Sequence, residues 1–331
     1  MQKGKKLKLI QYITQSEQIL KPLIADSLVK SVQRTHHKSS KIGNKTEEPD
    51  YIADLVINWT DDFFKIVDYV FSGKLTFEIT SIYCHQKPLV DINMGKNPEI
   101  GDILFIFKHI DSSKEAYFNS MLLQAKVSDK PISKVGSGDM AQLELYHKWP
   151  QFKYLRAGAL NGKQRNIYPK TISSGAQYLL IDDDPVHSLM GLPGTFPFGC
   201  ALPNKQLVLN NDLASELFQF LQFKTGRPFD EKSKVNDDWS QTMWDLIDIT
   251  KAKASRRKNS GIKSFPRQIT KNFDACCYLA NVNQESYFND LNIIVKNNGN
   301  DGYSDNPENQ FSDDSPGVSL IFIEAIETSQ E

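Results

Sequence analysis

Apolar positions along the chain change period several times, and each change marks an element. Between residues 10 and 34, Ile13, Leu20, Leu23, Ile24, Leu28 and Val32 recur at helical spacing and predict a helix. THHKSSKIGNKTEEP, which follows, has no such period and reads as a loop. Residues 50–71 predict a second helix or helix pair, with Ile52, Leu55, Val56, Trp59, Phe63, Phe64, Val67 and Val70 on its apolar side and Ser72-Gly73 as its stop. The period then shortens to two. LTFEITSIY alternates as a strand does, and IGDILFIF (100–107) and SMLLQAKV (120–127) are apolar runs of strand length. DSSK between them is a turn, so these two strands are expected to pair antiparallel. DMAQLELYHKW (139–149) returns to helical spacing and ends before Pro150, and AQYLLID (176–182) is a further strand closed by aspartates.

The second half is patterned differently. Residues 183–205 are rich in Gly and Pro and read as a loop or boundary. Two capped helices are expected at 210–226, with Asn211 or Asp212 as cap and Gly226 as stop, and at 237–254. Residues 297–317 are polar and read as a mobile loop, and VSLIFIEAI is a strand that must return to a sheet rather than stand free. The order of elements over 50–182 predicts an α/β fold, a mixed sheet with flanking helices. It divides the chain into an N-terminal helical segment (1–49), a core (50–182) and a C-terminal helical and strand region (183–331).

Composition narrows the class. The chain has 331 residues, 40% hydrophobic and 24% charged, as an ordinary globular protein has. No apolar run reaches the roughly 18–20 residues of a membrane span, and the basic start MQKGKKLKLIQYI is followed by no apolar signal core. No membrane association is expected. The four cysteines (Cys84, Cys200, Cys276, Cys277) and six histidines form neither a disulfide framework nor a zinc pattern, so a reducing, cytoplasmic setting is expected. The net charge of −1 conceals an asymmetry. Residues 297–331 hold eight acids and no Lys or Arg, which leaves the rest of the chain at +7. Segment 251–271 carries eight basic residues and no acid. It reads either as a solvated surface or as a patch for phosphates, with Arg256, Arg257, Lys258, Lys263 and Arg267 as nucleic-acid contacts. Lys87, in the loop before IGDILFIF, is either a solvated loop residue or a further candidate contact.

The chemistry concentrates in PEIGDIL (98–104) and LLQAK (122–126). Asp102 opens one strand, and Gln124 and Lys126 stand two apart on the next, so they share a face while Ala125 faces away. If the hairpin closes at the DSSK turn, acid, amide and lysine converge. A buried lysine without a partner is costly, and a site edge supplies the reason for one here. No GxxxxGK, GxGxxG or GxSxG occurs. Gln142 either faces this site or lies on the helix surface.

This arrangement resembles the PD-(D/E)xK, or restriction-endonuclease-like, nuclease superfamily, in the variant with glutamine in the (E/Q)xK position as in Mrr-type restriction enzymes. The resemblance covers about 50–182 and implies an αβββαβ core, with the C-terminal region as an α/β extension. It carries over to Asp102, Gln124 and Lys126, with Glu99 or Glu78 as the additional catalytic acid; the choice of that upstream acid stays open among Asp54, Glu78, Asp91 and Glu99. A literal Pro-Asp pair is missing, since Pro98 precedes Glu99. The implied activity is Mg²⁺-dependent hydrolysis of DNA, with Mn²⁺ as a substitute and a role in restriction or anti-phage defence. Asp102, the Gln124 side-chain oxygen and the Ala125 carbonyl would be the metal ligands, and Lys126 would orient water or stabilise charge on phosphate. With no ATP-binding motif, activation is expected to come from a protein partner or from homo-oligomerisation. The alternative is an inactive nuclease fold that binds nucleic acid or a protein partner.

Overall fold

A computed structural model of the chain describes residues 6–41, 45–84, 87–128, 130–184, 196–255, 275–291, 293 and 316–328. Seven α-helices are described: α1 (Lys6–Gln15), α2 (Glu17–Lys41), α3 (Glu48–Asp54), α4 (Thr60–Phe71), α5 (Met140–Lys148), α6 (Leu213–Leu221) and α7 (Asp238–Ser255). A π-helical turn, Leu55–Trp59, joins α3 to α4. The principal strands are β1 (Leu75–Cys84), β2 (Leu89–Asp91), β3 (Ile103–Ile110), β4 (Ala116–Val127), β5 (Ile132–Lys134), β6 (Phe152–Leu155), β7 (Gln164–Arg165) and β8 (Ala176–Ile181). They are followed by β9 (Phe198–Ala201), β10 (Gln206–Val208), β11 (Asn211–Asp212), β12 (Arg227–Phe229), β13 (Ala275–Ala280) and β14 (Ser319–Glu327).

One mixed sheet organises the molecule, in the order β11-β9-β8-β4-β3-β14-β1-β13, with β12 paired to the early part of β4. β3 and β4 form the expected antiparallel hairpin, with Ile103 opposite Leu123. β4 and β8 run parallel, as their separation by a crossover containing α5 requires. The strand at 319–327 takes a central position, parallel to β3 and antiparallel to β1. The sheet therefore draws on both halves of the chain.

Both faces of this sheet are covered, which is why its strands read as near-continuous apolar runs. Odd-numbered residues of β1, β3, β4 and β14, such as Phe77, Phe105, Leu123 and Ile323, pack under α1, α2, α3, α4 and α6. Even-numbered ones, such as Ile82, Leu104, Leu122 and Phe322, pack under α5, α7 and the small sheet β2-β6-β7.

Two expectations change. Residues 35–41, read as a loop, continue α2. The C-terminal half of α2 is tied to α3 through one buried carboxylate: Arg34 and Lys38 pair with Asp54 at 3.0 and 3.1 Å, and Ser31 donates to it at 2.8 Å. Tertiary pairing overrides a weak local preference. The Gly/Pro-rich stretch 183–205 contains β9, whose Phe198 and Cys200 enter the core. Residues 256–274 and 294–315, which hold most of the basic segment and of the acidic loop, lie outside the described residues.

Candidate functional site

The register of the β3–β4 hairpin builds the site. With Ile103 opposite Leu123, the preceding residue Asp102 falls opposite Gln124. The Asp102 amide donates to the Leu123 carbonyl at 2.9 Å, and its own carbonyl accepts from Ser319 of β14 at 3.2 Å. Its buried carboxylate accepts from the Ala125 amide at 2.7 Å and from Gln124 Nε2. Gly101 beside it has no room for a side chain, because a Cβ there would sit 2.7 Å from the Tyr146 hydroxyl.

Three more elements converge on this point. Leu89 of β2 bridges Glu99, and the Ile100 amide bonds Pro88, so the segment before β3 is pinned to the small sheet. The Glu99 carboxyl shares a hydrogen bond with Asp102. Glu48 comes from the start of α3, where Asp50 accepts from the Glu47 amide at 2.9 Å and fixes the helix entry. α5 contributes Tyr146, whose hydroxyl donates to the Ile100 carbonyl at 2.8 Å. Gln142 lies one turn earlier on the same helix and is buried; its Nε2 has no hydrogen-bond partner. Of the two readings of Gln142, the helix-surface one is overturned by this burial.

The electrostatics follow from burial and from like charges. Burial, and then the charge of Asp102, push Glu48 up to about 8. The same two causes push Glu99 up to about 7. Burial also raises Asp102, against the pull of Lys87, the Ala125 amide and Lys126. Burial and like charge thus both disfavour the charged forms of these three carboxyls, and Lys87 and Lys126 offset this. Lys126 lies beside them, with its Nζ 3.1 Å from Asp139. Lys87 acts on all three carboxyls and donates to the Cys84 carbonyl at 2.6 Å.

Of the four acids considered for the additional position, Glu99 alone lies beside Asp102. Asp54 is absorbed by Arg34 and Lys38, and Asp91 pairs with Lys153 at 3.8 Å. Glu78 stands opposite Glu324 of β14 and accepts from Asn283. Sequence reasoning missed Glu48, since the apolar period begins only after it. Pro49 in the first turn, flanked by acids, is the signal that marks a helix start there. Of the predicted nucleic-acid contacts, Lys87 is at the site, while Arg256, Arg257, Lys258, Lys263 and Arg267 lie outside the described residues.

Carboxylates and an amide oxygen are the donors a hard divalent cation prefers. Gln124 Oε1 is buried without a hydrogen-bond partner, an acceptor in need of a cation or donor. Among the described residues no three His, Cys, Asp or Glu side chains form a ready metal cage. Mg²⁺ needs no such cage, since it is commonly held by one or two carboxylates and keeps several waters. Among the described residues, too, no helix is long and apolar enough to cross a membrane. Comparison with protein-family models, curated proteins and solved structures finds no match for this chain.

Proposed function

We propose that the protein is a metal-dependent DNA endonuclease with a restriction-endonuclease-like core. The observation that carries this reading is the convergence of Asp102, Glu99, Glu48 and Lys126 around one strand pair, with Gln124 Oε1 left unsatisfied among them. The core in this reading comprises α3 and α4, β1, β3 and β4, α5 and β8. Its anti-phage or restriction role, and its activation by a protein partner or by self-association, are part of the same proposal.

Asp102, Gln124 and the Ala125 carbonyl would hold Mg²⁺ or Mn²⁺, with Glu48 or Glu99 adding a carboxylate. The bound cation supplies charge stabilisation on phosphate and a more acidic water. Lys126 stands two residues beyond Gln124 on the same face and stabilises charge developing on the scissile phosphate. Burial and Asp102 raise both Glu48 and Glu99; a bound cation would favour their ionised forms, and whichever of the two does not hold it would accept a proton from water. Tyr146 and Gly101 hold the backbone that presents Asp102.

Cleavage of supercoiled plasmid and linear duplex in Mg²⁺, Mn²⁺ and EDTA tests the reading. Metal-dependent cutting is expected for the wild type, with none for Asp102→Ala or Lys126→Ala while both stay folded. Cutting that persists in both variants refutes the site. A second reading, a nuclease fold that binds nucleic acid without cutting it, draws on the Lys126–Asp139 ion pair, which engages the lysine away from phosphate. Tight, salt-sensitive DNA binding with no cleavage in any metal is its expected result.

A further inference from the structure

Lys126 is engaged by an acid of its own chain. Its Nζ lies 3.1 Å from Asp139 Oδ2. Asp139 closes the 3₁₀ turn Ser137–Asp139 and takes the cap position of α5. An aspartate at that position commonly accepts a hydrogen bond from a first-turn amide. Asp139 makes no such bond, and its backbone (φ −107°, ψ 8°) lies outside the extended region that capping uses. A residue type suited to capping is thus given to the lysine instead.

A second lysine holds the turn from its other side. Lys96, in the loop between β2 and β3, donates to the Gly138 carbonyl. The same loop continues into Pro98 and Glu99. Contacts therefore run from the segment bearing Glu99, through Lys96 and the turn, to Asp139 and Lys126, two residues from Gln124. The turn is tied to both strands that build the site.

The pair is easily exchanged. Lys126 and Asp139 are 31% and 40% exposed, so solvent screens their attraction. The capping bond that Asp139 forgoes is of comparable strength. Two arrangements so nearly balanced respond to any ligand that favours one of them. A phosphate at Lys126 is such a ligand: it satisfies the ammonium group and repels the Asp139 carboxylate.

We propose that Asp139 is an internal counter-ion that stands in the phosphate position at Lys126 until substrate displaces it, a lock built into the site. The proposal rests on the nuclease reading for the role of Lys126 and for phosphate as the anion. Once displaced, Asp139 caps α5, which offsets part of the cost of breaking the pair.

Fluorescence anisotropy of a labelled 30-base-pair duplex, in EDTA so that nothing is cut, tests the lock through a double-mutant cycle. Asp139→Asn removes the charge and keeps a good capping residue; Asp139→Ser does the same if the first variant melts early. Either is expected to bind about two- to fivefold tighter than wild type at 0.15 M salt, the factor a half-exposed ion pair is worth. In a Lys126→Met background the same substitution is expected to change affinity less than about 1.5-fold, since no lysine remains to be released. Equal tightening in both backgrounds reduces Asp139 to general repulsion of DNA and overturns the lock. Unchanged or weaker binding by the folded Asp139 variants also overturns it and leaves the nuclease reading standing. Tightening that requires Lys126, with no cleavage by wild type or Asp139→Asn in Mg²⁺ or Mn²⁺, ends the nuclease reading and supports the lock. Failure of wild type and both Asp139 variants to bind duplex overturns the lock.

Discussion

Asp102 is the residue on which most of the site depends. Its carboxylate accepts from Ala125 and Gln124 while its main chain joins β4 to β14. Asp102→Ala is expected to lower plasmid cleavage at least about 100-fold, as loss of a preorganised electrostatic group does. Glu48→Gln should lower it about 10–100-fold and raise the Mg²⁺ concentration needed, as loss of a supporting ligand does; a cleavage titration reads both. Tyr146→Phe strands the buried Ile100 carbonyl, and urea unfolding should report a loss of about 1–3 kcal/mol. The nearness of Asp102 and Gln124 was legible because strand alternation and one short turn determine it. Glu48 was not, because it arrives from a helix more than fifty residues upstream through tertiary packing.

Strand pairing also places charges at the opposite end of the sheet. Glu78 of β1 faces Glu324 of β14, which faces Lys108 of β3 at 2.9 Å. Burial, and then the charge of Glu324, push Glu78 up to about 7. A folded-state value above the unfolded one means that the native state retains a proton the unfolded chain has released. Glu78 therefore contributes stability that is full below about pH 4.5 and is lost as pH rises through about 7. Glu78→Gln should flatten the decline of unfolding free energy between pH 5 and 7.5 by about 2 kcal/mol. Denaturant melts across that range, wild type against variant, decide it; parallel curves would remove Glu78 as the cause. Local period located β1, β3, β4, α5, α6 and α7 in the sequence. It did not reveal α2 continuing over 35–41, since THHKSSK owes its helix to Asp54 on α3. It indicated a strand at 319–327 without its neighbours, since no local feature of VSLIFIEAI names β1 and β3.

At the scale of the whole molecule, β14 closes the sheet. Leu320, Ile321, Phe322 and Ile323 are all buried, and each contributes about 1.5–3 kcal/mol. Together they match the net stability of a whole domain, about 5–15 kcal/mol. A chain cut after residue 316, and a fragment spanning 50–182, are both expected to be insoluble or unfolded by circular dichroism. A cooperative melt from either would show that β1 and β3 pair adequately without β14. The position of β14 also has a consequence in time. About 190 residues separate the end of β4 from the start of β14. At 5–20 residues per second, the ribosome leaves β1 and β3 with open facing edges for about 10–40 s. Throughout that interval the Asp102 carbonyl has no Ser319 amide to meet. Newly made chains thus pass through a stage with the β3–β4 hairpin present, the sheet split in two and the site unfinished. Chaperone demand should be greatest there, and slowing translation between β4 and β14 should lower soluble yield more than slowing it before β1.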